Sequence, residues 1–287
     1  MAHPAPSSSG AATVAVAALA LLLVATIVAA ACGGIAAREA PDPTPAATTP
    51  GTAGMAAPAA PEAGDGGASG LLYPDLRVQT LTDLAFDVAY INGEPRRVVR
   101  FTTTITNTGT GPLELHSSLD EGTQRTVVTQ RIYGPGQQTP EDRRVGAFVY
   151  HPGHAHWHMD EFVTYRLYAF GDDGAEERAT AKTSFCLTDD HQALELNAAP
   201  DEAQYGGCDN RVQGISVGWN DIYLSDLIDQ WVDLGPAAGD GAPHLPDGEY
   251  AIVADVSPTR LVAESDSTNN TSVTYFSVTD GELMADG

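Results

Sequence analysis

The sequence predicts a mainly β fold, a β-sandwich-like domain with long loops and few short helices, over residues 71–287. Two observations lead to this prediction. Several segments alternate apolar and polar residues with a period of two, which places every second side chain on one face of a strand. The same segments are rich in β-branched and aromatic residues and are bounded by Gly, Asn and Asp, as strands and turns usually are.

Four segments carry the alternating pattern, and two others predict helices. The strand segments are residues 96–115, 162–170, 247–256 and 271–278. In the first of them one face holds Val99, Phe101, Thr103 and Ile105, and an Asn-Thr-Gly turn follows. Residues 189–196, "DDHQALEL", and 225–234, "SDLIDQWVDL", have the composition of short helices.

The N-terminus reads as an export segment. Residues 11–31 carry no charge and Cys32 follows at once. Such a run could span a bilayer, but its position, its small residues and the cysteine favour a signal over residues 1–32. "AAAC" at 29–32 resembles a bacterial lipoprotein cleavage site, at which Cys32 would be lipidated. An uncleaved N-terminal helix and simple secretion are the alternatives, and each places the domain outside the cytoplasm.

Residues 33–70 predict a disordered linker. They consist largely of Ala, Pro, Gly and Thr and contain no aromatic residue. A stretch of this composition cannot bury enough apolar surface to offset the entropy of ordering it. The remaining length is sufficient for one core.

Charge and motifs exclude several function classes. The formal net charge is −24, which disfavours nucleic acid and anionic membrane surfaces as partners. The chain has no glycine-rich phosphate loop and no nucleophile elbow.

The chain has three cysteines, an odd number. If Cys32 carries lipid, Cys186 and Cys208 remain, and in an oxidising compartment we expect them to pair and close the loop between them. The rival interpretation is a lone nucleophilic or metal-binding cysteine.

The stretch "YHPGHAHWHMDEF", residues 150–162, is a candidate metal site. His154, His156 and His158 alternate, so neighbours among them would lie about 6.5–7 Å apart on one side of a strand. The first and the third would lie about 13 Å apart on an ideal strand. Bringing all three to one ion requires a bend or bulge, which Pro152 and Gly153 just upstream favour. Imidazole suits Cu, Zn, Fe and Ni alike. The alternative is a solvated histidine-rich strand.

These motifs together resemble the lysyl oxidase family, copper amine oxidases with a lysine tyrosylquinone cofactor. The family pattern W-x-W-H-x-C-H-x-H-x-H-x-M-D-E-F is similar to residues 150–162, which have one residue fewer before the Met. The similarity implies that His154, His156 and His158 bind copper. H-K-A-S-F-C-L-E-D is similar to "AKTSFCLTD", and G-L-S-P-G-C-Y-D-T-Y to "GISVGWNDIY". These two motifs imply that Lys182 and Tyr223 form the quinone.

The resemblance implies a reaction as well as a cofactor. A primary amine, free or on a peptidyl lysine, would be oxidised by O2 to an aldehyde with release of hydrogen peroxide and ammonia. Removal of a proton from the substrate carbon needs a base. Asp221 and His151 are both candidates, and the sequence does not choose between them.

A second metal site is implied at "ESDSTNN". Glu264, Asp266, Asn269 and Asn270 offer oxygen ligands of the kind that calcium prefers. In the family such a loop joins an N-terminal Asp-Leu, here Asp75 and the carbonyl of Leu76. The alternative is a polar turn, which Asp and Asn also favour.

The chain departs from the family in its cysteines. The family counterparts of Cys186 and Cys208 pair with other cysteines, and one of those partner positions is Gly153 here. A direct Cys186–Cys208 bond is therefore a re-pairing. Two other functions stay open, a non-catalytic extracellular metal-binding β domain and a zinc hydrolase.

Overall fold

The structure is a computed structural model that describes residues 70–120, 125–136, 138–171, 174–196, 198–237 and 244–285. The predicted signal (1–32), with Cys32, and all but the last residue of the predicted linker (33–70) lie outside the described residues. Contacts divide the chain into two units, Met1–Ala59 with Asp172–Ala175 and Ala60–Gly171 with Glu176–Gly287. Everything below concerns the second unit, together with Gly174 and Ala175 where they begin a strand.

The described residues form sixteen strands. In chain order they are β1 (Leu76–Val78), β2 (Thr82–Ile91), β3 (Glu94–Asn107), β4 (Leu113–Asp120), β5 (Arg125–Gly134), β6 (Gln138–Gly146), β7 (Phe148–His151), β8 (His156–Gly171), β9 (Gly174–Phe185), β10 (His191–Gln192), β11 (Val212–Ile215), β12 (Trp219–Tyr223), β13 (Trp231–Pro236), β14 (Gly248–Val256), β15 (Thr271–Thr279) and β16 (Glu282–Ala285).

The strands assemble into three antiparallel sheets. The first has the order β1-β3-β12-β10, and β2 and β13 also pair with β3. The second has the order β11-β4-β5-β6. The third has the order β16-β15-β14-β8-β7, and β9 pairs with β8. The prediction of a mainly β fold is therefore confirmed, and β3, β8, β14 and β15 coincide with the four segments predicted to be strands.

Both helix predictions are wrong. Residues 189–196 form a loop around the two-residue strand β10, and residues 225–230 form turns that lead into β13. In the second segment the Gln230 amide donates to Thr103 Oγ1 at 2.9 Å, and Arg100 donates to the carbonyls of Ser225 and Leu227. These partners lie on or beside β3, so long-range hydrogen bonds and pairing of β13 with β3 override the local helical pattern.

The first and third sheets pack face to face around an apolar core. Phe101 on β3 contacts Tyr165 on β8, with ring centroids 4.7 Å apart. Tyr165 is fully buried, and its hydroxyl shares a 2.7 Å hydrogen bond with Thr103. The alternating residues of β8 and β14, such as Leu167 and Ile252, are also fully buried. This core holds β8 in place, and the first residues of β8 belong to the histidine cluster.

No helix in the described part of the chain has the length and hydropathy of a membrane span.

Candidate metal and cofactor site

A tight hairpin gathers the histidines. Strands β7 and β8 pair antiparallel, with His151 opposite His156. Residues 152–155 form the turn, and within it Ala155 adopts a left-handed backbone, φ 58°. His154 therefore projects from the turn, whereas His156 and His158 stand two apart on β8. The hairpin supplies the bend that a straight strand would lack, so His154 can meet the two strand histidines.

The three imidazoles converge on one point. One ring nitrogen from each of His154, His156 and His158 lies within 4.8 Å of the other two. His154 Nδ1 and His158 Nε2 are 3.2 Å apart. His158 is buried, and the other two are half-buried.

Burial favours the neutral form of all three rings. Burial, aided by the neighbouring His154, His156 and His151 imidazoles, lowers the pKa of His158 to about 3. Burial also lowers the pKa of His154 and of His156. Neutral imidazole is the form that coordinates a metal. Three convergent neutral imidazoles fit a transition metal such as copper.

His151 lies against the cluster without joining the triad. Its ring stacks on His158 with centroids 4.9 Å apart and planes 14° apart. Its Nε2 is 2.9 Å from Asp229 Oδ2, and that pairing orients the ring. His151 is thus a supporting neighbour of the candidate ligands.

Tyr223 is held rigidly at the end of β12. Its ring stacks on Phe185 with centroids 3.6 Å apart and planes 11° apart, and its hydroxyl donates to the carbonyl of Cys186. Only 8% of the tyrosine is exposed. Burial raises the pKa of Tyr223 well above its ordinary value, and the nearby carboxyls of Asp221 and Asp190 add smaller contributions in the same direction. The phenol is therefore kept protonated in a closed, aromatic environment.

Asp221 lies two residues before Tyr223 and is almost fully buried. Burial raises the pKa of Asp221 well above the usual carboxyl range, and Asp190 adds to the effect. Its Oδ1 accepts a long hydrogen bond from the backbone N–H of Thr188, and Oδ2 has no partner among the described residues.

A cavity of about 310 Å³ brings the separate motifs together. Its lining includes His154 and His158 from the triad, Tyr223 from β12, and Ala181 and Thr183 from β9. The latter two flank Lys182 in the sequence of β9. Motifs far apart in the chain thus meet at one place.

The disulfide connects the tyrosine to the histidine hairpin. Cys186 and Cys208 are bonded, which confirms the predicted pairing. The carbonyl of Cys186 accepts the Tyr223 hydroxyl, and the carbonyl of Cys208 accepts the N–H of Trp157 at 3.0 Å. Trp157 lies between His156 and His158, so one covalent bond joins both parts of the site.

The residues predicted to bind calcium lie close together at a distance from this cavity. Glu264 accepts the N–H of Leu76 at 2.9 Å and the Asn270 amide at 2.8 Å, and Asn269 donates to Asp75 at 2.9 Å and to Asp266 at 3.2 Å. The Oδ1 atoms of Asn269 and Asn270 are buried without a partner among the described residues. Burial raises the pKa of Glu264 to about 7. Buried unsatisfied amide oxygens beside carboxylates fit a hard cation.

Sequence reasoning missed Phe185, Asp229 and Trp231, which also line the cavity. Phe185 lies within the motif that contains Lys182 and Cys186, so its position could have been noticed. Asp229 and Trp231 fell in the segment predicted to be helical, and that prediction gave them no role in the site.

These observations define a class of protein, a β protein with three convergent histidines that could hold a metal ion, beside a buried tyrosine. The family model described as lysyl oxidase matches residues 123–285. That match includes both β8 and β12 and covers more than half of the chain. The chain belongs to the lysyl oxidase family.

Curated relatives agree with this membership. Lysyl oxidase homolog 2 of Gallus gallus is 31% identical over 160 residues, which cover 54% of this chain and 19% of the relative. The Xenopus tropicalis homolog 2 is 34% identical over 125 residues, 43% of this chain and 14% of the relative. The Homo sapiens homolog 2 is 31% identical over 145 residues, 50% and 17% respectively. This chain therefore spans less than a fifth of these relatives.

Proposed function

We propose that the protein is a copper-dependent amine oxidase that carries a lysine tyrosylquinone made from Lys182 and Tyr223. The observation that carries the proposal is the shared cavity, in which candidate copper ligands, Tyr223 and the residues flanking Lys182 meet. A redox-inert metal such as zinc could not supply the oxidation that converts Tyr223 to a quinone.

His154, His156 and His158 would hold the copper. When bound, copper and the quinone supply redox chemistry with O2 and an electrophilic carbonyl that reacts with primary amines. The chain itself contributes rigidity around these groups. Phe185 keeps the Tyr223 ring in one plane, and the Cys186 carbonyl orients its hydroxyl. A fixed ring orientation matters because productive geometry depends on reacting atoms held at short, defined distances.

The two base candidates occupy different positions. His151 lines the cavity and 25% of its side chain is exposed, so its ring lies on the side of the cavity that a substrate enters. Asp221 is buried behind the tyrosine and is not among the described lining residues. We assign proton transfer at the substrate to His151, oriented by Asp229 through Nε2. Asp221 is better placed to exchange a proton with the Tyr223 hydroxyl.

The proposed substrates are peptidyl lysine or small primary amines, with O2 as oxidant and aldehyde, hydrogen peroxide and ammonia as products. We also propose that calcium binds Asp75, the Leu76 carbonyl, Glu264, Asp266, Asn269 and Asn270. The disulfide fits an oxidising compartment, and we propose an extracytoplasmic protein held at the membrane by lipid on Cys32 or by an N-terminal helix.

The test combines metal analysis with detection of the quinone. Copper-loaded protein should stain in a quinone redox-cycling assay and release peroxide from a primary amine. Lys182→Ala and Tyr223→Phe should bind copper yet fail to stain, whereas His158→Ala should lose copper and stain together. His191→Ala, an exposed histidine on β10 that does not line the described cavity, is the matched control and should behave as wild type.

Equal staining by wild type, Lys182→Ala and Tyr223→Phe would overturn the cofactor assignment. Copper binding with neither stain nor peroxide from wild type would instead favour a non-catalytic metal-binding domain.

A further inference from the structure

The cavity has one closed end and one open end. Tyr223 and Phe185 are 8% and 1% exposed, so the end that holds the tyrosine is shut off from water. Leu227 and Ile228 also line the cavity, but they are 37% and 50% exposed. Trp231 completes an apolar wall with them. A molecule entering from solvent therefore passes an apolar wall before it reaches the tyrosine.

One carboxylate lies at the open end. Among the described residues that line the cavity, Asp229 is the one with an acidic side chain, and 49% of that side chain is exposed. Oδ2 pairs with His151, whereas Oδ1 makes no hydrogen bond to any described residue. The backbone of Asp229 is left-handed, φ 65°, a conformation that is costly for most residues but tolerated by Asp and Asn. This strained turn directs an anionic group to the mouth of an apolar cavity.

The position of the Asp229 carboxylate determines which amino group of a substrate it can bind. A reacting amine must be neutral when it attacks an electrophile, and a carboxylate close to it would favour the protonated form. The closed end meets that requirement, because its walls are aromatic and shut off from water. At the open end a carboxylate is suited to a cation that stays charged while the other end of the molecule reacts.

From this arrangement we infer that Asp229 determines specificity by binding a second cationic group of the amine substrate. The inference rests on the proposed oxidase function. The substrate class is a primary amine with another positive charge several carbon atoms away, and Leu227, Ile228 and Trp231 cover the aliphatic segment between the two charges. Two sources share this chemistry, a free α,ω-diamine and a peptidyl lysine next to a basic residue.

The experiment compares amines that differ only in the far charge. Peroxide release gives kcat/KM for hexylamine and for the diamine of the same chain length. A second pair is a lysyl peptide with an arginine neighbour and the same peptide with serine in its place. The variant is Asp229→Asn, which keeps the left-handed preference and a hydrogen-bonding group for His151. Asp226→Asn is the matched control, since Asp226 is an exposed carboxylate of the same turn that does not line the described cavity.

Wild type should prefer the dicationic member of a pair by about fivefold, the size expected for a half-exposed ion pair. Asp229→Asn should remove most of that preference, and Asp226→Asn should retain it. Added salt should weaken the preference in wild type. A preference confined to the diamines or to the peptides identifies the source and supports the inference in either case.

Equilibrium binding provides a readout that needs no turnover. In a Tyr223→Phe background, which cannot make the quinone, the diamine should bind more weakly by a similar factor when Asp229→Asn is added. If Asp229→Asn lowers kcat/KM equally for both members of each pair, Asp229 acts only by positioning His151, and the inference is overturned. An equal loss of preference in Asp226→Asn also overturns it. If wild type oxidises no amine, the oxidase proposal fails, and the binding measurement alone decides the role of Asp229.

Discussion

The disulfide between Cys186 and Cys208 yields a quantitative prediction, because it both closes a loop and joins the two parts of the site. The bonded residues are 22 positions apart. Loop-closure entropy for a ring of that length corresponds to about 3.4 kcal/mol at room temperature. The double variant Cys186→Ala/Cys208→Ala should therefore lower the free energy of unfolding by roughly that amount.

The same variant should weaken the metal site. Without the bond, the carbonyl of Cys208 that holds the N–H of Trp157 is no longer covalently tied to the carbonyl that holds the Tyr223 hydroxyl. Losing such outer contacts usually lowers metal affinity roughly tenfold. Denaturant unfolding measures the stability, and competition with a chelator measures the copper Kd.

Wild-type protein that has been reduced and alkylated serves as the control and should match the double variant in both measurements. A loss of stability below about 1 kcal/mol with an unchanged copper Kd would refute the reasoning, since intact loops would then hold both parts of the site unaided.

Three further outcomes are expected. Burial tends to raise the pKa of Glu114, but hydrogen bonds from His116, Tyr133 and Tyr205 outweigh it and lower that pKa, so Glu114→Gln should cost about 2 kcal/mol at neutral pH. Because the folded pKa of Glu114 is depressed, this stabilisation is present above the ordinary glutamate pKa and is lost as pH falls through the folded pKa. Denaturant unfolding should therefore show that the difference in free energy of unfolding between wild type and variant shrinks at acidic pH. A difference that stays constant would contradict the assignment. Gly218→Ala should lower the free energy of unfolding by about 2 kcal/mol, because φ is +78° and the new Cβ would lie 2.5 Å from a backbone carbonyl oxygen. It should also reduce quinone staining, because β12 starts at the next residue. Wild-type stability and staining in this variant would exclude that strain. Calcium at about a hundred times its Kd should stabilise wild type by roughly 2.7 kcal/mol but leave Asn269→Ala unaffected. Thermal unfolding with and without a chelator measures the effect. Equal shifts of the unfolding midpoint in both proteins would show that the proposed site is wrong.

The strands could be predicted because each carries its own evidence. In β8 and β14 the period-two pattern places Tyr165, Leu167 and Ile252 in the core, and the structure buries all three. The helix prediction over 225–234 failed for a physical reason. Its apolar spacing suits a helix, but Gln230 and Arg100 make hydrogen bonds between this segment and β3 that no local pattern reveals.

The histidine cluster shows a similar division. The alternation of His154, His156 and His158 was enough to predict a metal site on chemical grounds, and the need for a bend was clear from strand spacing. The particular bend was not. The antiparallel pairing of β7 with β8 sets the turn, and it also stacks His151 on His158.

By itself the sequence predicted the strand pattern, the candidate histidine ligands and the cysteines available to bond, because residue type and short spacing decide these features. The Lys182 and Tyr223 pair was implied by the resemblance of their motifs to the family. Only the tertiary structure decided that Tyr223 stacks on Phe185, that one cavity joins β8, β9 and β12, and that Asp229 lies at its mouth. Those features depend on contacts between residues far apart in the chain. Sheet pairing and core packing create such contacts, and a local pattern cannot encode them.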